Sequence, residues 1–241
     1  MTRRSSMTIP STDNRFDAFF TDPLYLSLKP ILFSYRYRKW KISRHVPERG
    51  RILDIGSGTA PVSPDLSRTV VADLSEEALR HIDVPEKIVA SITALPFAPG
   101  SFDCIVCSEV LEHVRDDMLG IREMRRVLKT GGVLVATVPY QQRFWAEDDE
   151  YVGHVRRYEP GELEEKLRAG GFSRVATCRL AGRLERWLTR RSLRMYAGSG
   201  PRKRLPLWFI RVINHVLFAL LIVTGPFTRW NQTTRILITA R

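Results

Sequence analysis

Cysteine is scarce in this chain, acids are outnumbered, and no apolar leader opens it. Three cysteines, Cys104, Cys107 and Cys178, are a poor basis for a disulfide framework, so a reducing, cytoplasmic setting is expected. The opening residues Met1-Thr2-Arg3-Arg4-Ser5-Ser6 are polar, without the apolar stretch of a secretory signal behind them. Asp and Glu number 26 against 38 Lys and Arg, a formal charge of +12. That imbalance suits an anionic partner, whether membrane surface, nucleic acid or phosphorylated substrate, and carries no information about fold. The excess lies in residues 1–50 and 179–241, whereas most acids fall between Asp54 and Glu165. Cys104-x-x-Cys107 has the outline of half a zinc or redox site. It lies inside the apolar run Phe102–Cys107, where successive side chains point to opposite faces of a sheet, and both cysteines read as small core residues.

What is present is organised around Arg51-Ile52-Leu53-Asp54-Ile55-Gly56-Ser57-Gly58-Thr59-Ala60. An apolar strand runs into a Gly-x-Gly turn, which presents bare N–H groups at the strand's C-terminal end. A lone glycine turn is weak evidence. Here Thr69-Val70-Val71-Ala72-Asp73 reads as a second buried strand that closes on an acid nineteen positions after Asp54, the interval for a carboxylate that accepts from ribose hydroxyls.

At 241 residues and 44% apolar, the chain can bury a proper core and still carry an appendage. Strands and helices then alternate: strand 51–55, a short helix near 62–67, strand 69–73, helix 75–82, strands 87–90 and 102–107, helix 117–129 stopped by Gly131-Gly132, and strand 132–138. After a loop at 139–158 come helix 160–169, strand 172–178 and a final strand 235–240. The pattern predicts an α/β fold on a mostly parallel sheet covered on both faces. From Phe16 to Val46, helix-spaced apolar positions broken by Pro23 and Pro30 end in the basic, aromatic Tyr35–Lys41. Either a helix laid on the domain or a lid or membrane-facing anchor fits that pattern.

Several strings arrive in an order that resembles the class I S-adenosylmethionine-dependent methyltransferases, nearest to the small-molecule and quinone types. They are Asp54-Ile55-Gly56-Ser57-Gly58, Asp73-Leu74-Ser75, Leu95-Pro96-Phe97 before Ser101-Phe102-Asp103, Ser108-Glu109-Val110-Leu111-Glu112-His113-Val114, and Lys129-Thr130-Gly131-Gly132. The resemblance spans about residues 50–180 and the last strand. It implies a three-layer Rossmann-like fold on a seven-stranded sheet with an antiparallel last strand, and S-adenosylmethionine as cofactor with S-adenosylhomocysteine as product. On it, Gly56, Ser57 and Gly58 pass under the methionine part, Asp54 fixes the turn, Asp73 grips both ribose hydroxyls and Leu74 packs on adenine. Ser91 stands where relatives often carry an acid for the adenine amino group, which shifts weight to Ile92 and its backbone. Glu109 joins the cofactor set, and Ala60 replaces the family's third glycine. The implied organisation is an N-terminal helical or lid segment at 1–46, a methyltransferase domain at 47–180 and 232–241, and a helical insertion at 181–231.

Methyl transfer from a sulfonium needs alignment more than covalent help, and a base only where the acceptor is protonated. His113 and His154 are the candidate bases, with Tyr158 beside them in the 139–158 loop. Arg156 and Arg157 suit an anionic acceptor if the loop faces the site, or a solvated loop tip if it does not. Glu109, Glu112 and His113 also resemble the metal-ligating Glu-x-x-Glu-His of some quinone O-methyltransferases and small-RNA 2′-O-methyltransferases, with His154 able to complete a divalent-metal sphere.

The basic run Arg183–Arg204 leads into an apolar stretch at 205–224, which as a helix would reach ~30 Å. A single crossing conflicts with a last strand that returns to the sheet, and with Arg211, Asn214 and His215 on one helix face. An interfacial, a re-entrant or a buried helix remains, with attachment to an anionic membrane at its inner face as the expectation. The acceptor is then hydrophobic or lipid-linked. An RNA methyltransferase holding phosphates on the basic flanks, and a non-catalytic cofactor-binding regulator, are the alternatives, and oligomeric state is open.

Overall fold

The computed structural model describes residues 20–197 and 207–241. The polar opening residues, the first apolar positions at Phe16 and Phe19, and the end of the basic run at 198–206 lie outside the described residues.

Among the described residues two short helices, α1 (Pro23–Leu28) and α2 (Phe33–Ser43), precede the sheet, separated at Pro30 by a 3-10 turn. Then follow β1 (Ile52–Ile55), β2 (Thr69–Asp73), α3 (Glu76–Arg80), β3 (Glu86–Val89), β4 (Phe102–Ser108), α4 (Asp117–Val127) and β5 (Leu128–Pro139). The remainder is α5 (Glu147–Val152), α6 (Glu162–Ala169), β6 (Val175–Gly182), α7 (Arg183–Ala197), α8 (Leu207–Thr224) and β7 (Thr233–Ala240). The seven strands lie in the order β3-β2-β1-β4-β5-β7-β6. β1 to β5 run parallel to one another, and β7 runs antiparallel between β5 and β6. This is the doubly wound arrangement with an antiparallel last strand that the resemblance implies, and its order reverses between β1 and β4.

The central strands are mostly apolar because both faces are covered, whereas the outer strands β3 and β6 carry exposed positions. On one face Leu53, Val70, Ile105 and Leu134 meet Ile121 and Met124 of α4 and Leu163 and Leu167 of α6. On the other, Ile52, Val106, Val135 and Leu237 meet Phe33, Tyr35 and Ile42 of α2, with Leu221 of α8. Cys104 and Cys107 are fully buried, one in each cluster, as alternation along β4 requires. Burial holds both thiols above their ordinary range, Cys104 at about 12.

Two local expectations are corrected. Residues 62–65 are not helical: Pro61 and Pro64 interrupt the backbone, the Asp54 carboxylate takes the Ser63 N–H at 2.8 Å, and only Leu66–Arg68 turns as a 3-10 helix. Helix α4 ends at Val127 rather than at the glycines, because Leu128 is already extended and β5 begins there; Gly131, at φ +78°, bends β5 instead. Ser75 does cap α3, accepting from the Ala78 N–H at 3.1 Å, with Glu76 and Glu77 in the first turn.

Helix α8 lies along α2 through Leu217, Phe218, Leu221 and Ile222. Asn214, which on a membrane-crossing helix would meet lipid, is buried, and its Oδ1 accepts the Phe33 N–H at 2.8 Å. That bond caps α2, whose own N-cap residue Leu32 offers no side-chain acceptor. Arg211 and His215 stay exposed. Because β6 and β7 are paired neighbours, both ends of the intervening segment start from one sheet edge.

Candidate cofactor and acceptor site

Strand β1 delivers the chain into Gly56, and the turn is built from left-handed positions that favour glycine. At Gly56 φ is +66° and a Cβ would lie 2.4 Å from Val110 Cγ2; at Gly58 φ is +55° and a Cβ would lie 2.8 Å from Lys29 Nζ. Asp54 is wholly buried one turn below. It holds Ser63, Lys39 and Lys29 lie near enough to draw its charge, and one carboxylate oxygen has no partner. Burial pushes its carboxyl up to about 7 against those groups. Asp54 therefore fixes the chain beyond the turn, at 61–63.

At the end of β2, Asp73 Oδ2 accepts the Gly58 N–H at 2.8 Å and Oδ1 accepts the Ser75 N–H at 2.9 Å. Burial raises its carboxyl above the usual range, and these two N–H groups work against that rise. The next side chain, Leu74, is 55% exposed on the same rim. Asp54, Gly56, Ser57, Gly58, Asp73 and Leu74 are thus gathered beside the β1/β4 crevice, where ligands of open parallel sheets bind. The residues fit the expected nucleotide: a cradle of two left-handed glycines, a strand-end carboxylate, and an uncovered leucine beside it.

The N-terminal helices reach this rim. Lys29 donates to the Ser57 carbonyl at 3.2 Å, while Tyr35 and Lys39 donate to the Pro61 carbonyl at 2.8 and 3.1 Å. Burial and then Arg38 lower the Lys29 ammonium to about 8, against the pull of Asp73 and Asp54. Nothing in the sequence around Lys29 marks it as part of the site.

Two expected adenine contacts are differently engaged. Ser91 Oγ bonds Thr93 Oγ1 at 2.7 Å and accepts the Thr93 N–H at 3.2 Å. The Ile92 side chain is buried against Gly120, which leaves only its backbone for a ligand. The Glu109 carboxylate is engaged as well: it accepts from Arg235 at 2.7 Å and from Thr137 at 3.1 Å, with Arg38 at 3.6 Å. Burial would raise its carboxyl, but Arg235 and Arg38 prevail and hold it at about 2.

Beyond β4 the two histidines meet, with ring centroids 4.8 Å apart. His154 Nδ1 lies 2.7 Å from Asp149 Oδ1, and His113 Nδ1 lies 3.2 Å from the Gly153 carbonyl. Both acceptors call for a proton on Nδ1. Asp149 keeps its charge because the bonds from His154 and Arg157 override its burial and hold its carboxyl low. Glu112 is buried beneath them, 3.7 Å from His154 Nε2, with neither carboxylate oxygen hydrogen-bonded. Burial and the neighbouring Glu109 push its carboxyl well above the ordinary range. The ligand atoms of Glu112, His113 and His154 all lie within 4.8 Å of one another, so the cluster draws on Glu112 and His154 and not on Glu109.

The remaining loop residues do not reach the site, and the loop is not a solvated tip. Tyr158 is fully buried and donates to Asp117 at 2.8 Å; burial holds its phenol far above the ordinary range. Arg156 pairs with Asp117 at 2.8 Å and Arg157 with Asp149 at 2.7 Å. All three brace the loop that carries His154. Asp149, which aims that histidine, was hidden within the acidic run Glu147–Glu150, where no spacing distinguishes it.

Residues 53–136 match the family model described as a methyltransferase domain. The match gives the chain a methyltransferase domain, on the seven-stranded fold of the class I S-adenosylmethionine-dependent enzymes. Within that class the similarity runs to quinone-type enzymes. The chain is 38% identical over 112 residues to a demethylmenaquinone methyltransferase of Mycobacterium sp. (strain KMS), covering 42% of this chain and 48% of the relative. It is 35% identical over 143 residues to the ubiquinone/menaquinone biosynthesis C-methyltransferase UbiE of Escherichia coli O1:K1 / APEC, covering 49% and 57%. The chain thus matches about half the length of these curated relatives. A Haloferax volcanii methyltransferase solved with the Trm112 methyltransferase activator shares the fold, with TM-score 0.64 and 18% identity over 95% of this chain and 98% of that one.

Proposed function

We propose that the protein transfers a methyl group from S-adenosylmethionine to a hydrophobic, quinol-type small molecule, by direct displacement at the methyl carbon. The observation that carries this reading is the junction of Asp73 with the Gly58 N–H beside the exposed Leu74, set next to the paired histidines at the end of β4. The sulfonium cofactor, when bound, supplies the electrophilic methyl. The chain's own residues hold the sugar at Asp73, shelter the crevice under Lys29 and α2, and take up the acceptor's proton.

His154 is the base in this reading. Asp149 fixes its Nδ1–H, so Nε2 receives the proton of a ring hydroxyl; the ring carbon made nucleophilic by that oxygen bonds the methyl as the methyl–sulfur bond breaks, then sheds its own proton to solvent, and His154 returns its proton to the oxygen. The quinone names of the relatives support this acceptor class, and the apolar insertion suits a greasy one. Titration calorimetry with S-adenosylhomocysteine, followed by a labelled-methyl assay on a membrane lipid extract and on a demethylated quinol, tests it. Binding together with label in a quinol product is expected; no binding, or label in none of these acceptors, defeats it.

A second reading rests on the unpartnered Glu112 oxygens: with His113 and His154 they fit a divalent cation that would polarise the acceptor oxygen. Loss of transfer in EDTA and recovery with Mg²⁺ selects this reading, and transfer unaffected by EDTA selects the base.

A further inference from the structure

Away from the crevice, arginines converge on one cleft. Helix α7 starts directly off β6, and positions 183, 186, 187, 190 and 191 recur at the spacing of one helix face. They form one wall; Arg143, Phe144, Trp145 and Ala146 form the other, around a volume of about 530 Å³. The acids below are shared. Asp148 serves both Arg186 and Arg190, while Asp149 serves Arg157 and His154 as well as Arg186. No described carboxylate pairs with the exposed Arg183 or Arg191, and Arg186 keeps one buried guanidinium nitrogen without a partner. Cationic donors are therefore in excess, in a cleft whose rim carries Trp187 at 60% exposure.

The chain at one border of the cleft leads back to an apolar ridge. Arg143 donates to the Asn231 carbonyl, so the chain next to Trp230 borders the cleft. Behind it, Trp208, Val212, Val216, Leu220, Val223 and Phe227 recur every three or four residues along α8 and its end, all exposed, Phe227 at 81%. The segment Trp208–Phe227 is long and apolar enough to cross a membrane, with mean hydropathy 1.8, yet its opposite side lies on α2 and both flanks return to one sheet edge. Guanidiniums for a phosphate beside an apolar ridge with aromatic ends match the two layers of a lipid surface.

We propose that the arginine cleft between α7 and the 143–146 turn is a docking site for anionic phospholipid headgroups, and that the exposed ridge of α8 enters the bilayer surface beside it. The site is separate from the cofactor crevice and needs neither cofactor nor acceptor.

The test uses the full chain, sedimented with phosphatidylcholine vesicles with and without phosphatidylglycerol. Wild type is expected to favour the anionic vesicles. An Arg183→Gln/Arg191→Gln variant should partition into them about 25-fold more weakly, each arginine near such a surface being worth roughly fivefold. Phe227→Ser should weaken binding on both vesicle types. Unchanged S-adenosylhomocysteine affinity in these variants shows intact folding, and keeps a failure here distinct from a failure of the proposed function. Equal binding to neutral and anionic vesicles, or an unaffected double variant, overturns the proposal. So does release by millimolar glycerol phosphate, which would mark a free-anion site, or displacement by stoichiometric RNA, which would mark a nucleic-acid site.

Discussion

The Asp73→Asn substitution probes the cofactor crevice most directly. The carboxylate receives two backbone N–H groups, from Gly58 at 2.8 Å and Ser75 at 2.9 Å, and in the proposed function it also receives the sugar hydroxyls. An amide keeps one carbonyl acceptor and turns an NH₂ toward one of those donors. Each hydrogen bond to a charged group is worth about 1.5–3 kcal/mol, so losing one with its charge should weaken S-adenosylhomocysteine binding about 10- to 150-fold. Stability of the ligand-free protein should change far less. Burial raises the Asp73 carboxyl, so the ionised form is itself a cost to the fold, and its removal offsets the lost backbone bond. Titration calorimetry reads the affinity and thermal melting reads the fold. An affinity within twofold of wild type, with an unchanged melt, would refute the assignment of Asp73 to the sugar.

Replacing Lys29 by Met should stabilise the ligand-free protein at neutral pH by about 3 kcal/mol, given a fall from 10.5 to about 8 on folding. The sign follows from linkage: the buried ammonium costs most below pH 8, and the unfolded chain holds the extra proton between 8 and 10.5. The gap between variant and wild type should therefore shrink over that window in urea melts, and a gap independent of pH contradicts it. His154→Ala should lower kcat about 10²- to 10⁴-fold with S-adenosylhomocysteine affinity unchanged, as read by a labelled-methyl assay; equal losses in both would make the residue structural. Arg235→Met leaves Glu109 and Glu185 without their shared guanidinium and should cost about 3–5 kcal/mol in urea unfolding. The Glu109 share is present above the ordinary carboxylate range and is lost as pH falls toward 2, so the variant's deficit should narrow in acid.

The residues legible in the sequence are those whose partners are close along the chain or whose role is fixed by backbone. Gly56 and Gly58 announce a turn, and Asp73 closes a strand one crossover later, so strand order and crevice follow from local pattern. The fate of Glu109 was not legible, because Arg235 arrives 126 positions later on a strand whose own pattern reports only apolar alternation. Asn214 was read as polar on an apolar helix; the N–H it accepts lies 181 positions away, and no periodicity encodes that. Arg156, Arg157 and Tyr158 show the same limit from another side. Their chemistry suited a substrate, but Asp117 and Asp149, supplied by neighbouring helices, neutralise them first.

The placement of β7 has a consequence for how the molecule is made. Among the described residues β6 has no neighbour except β7, and β5 has β7 on one flank, so neither ladder can close until residues 233–240 emerge, behind the whole 183–232 segment. A nascent chain therefore carries an open sheet edge together with an uncovered greasy helix, the pairing most prone to sticking to other chains. Nucleation should begin in the β1–β4 half, with the last strand acting as the zip that ends the vulnerable interval.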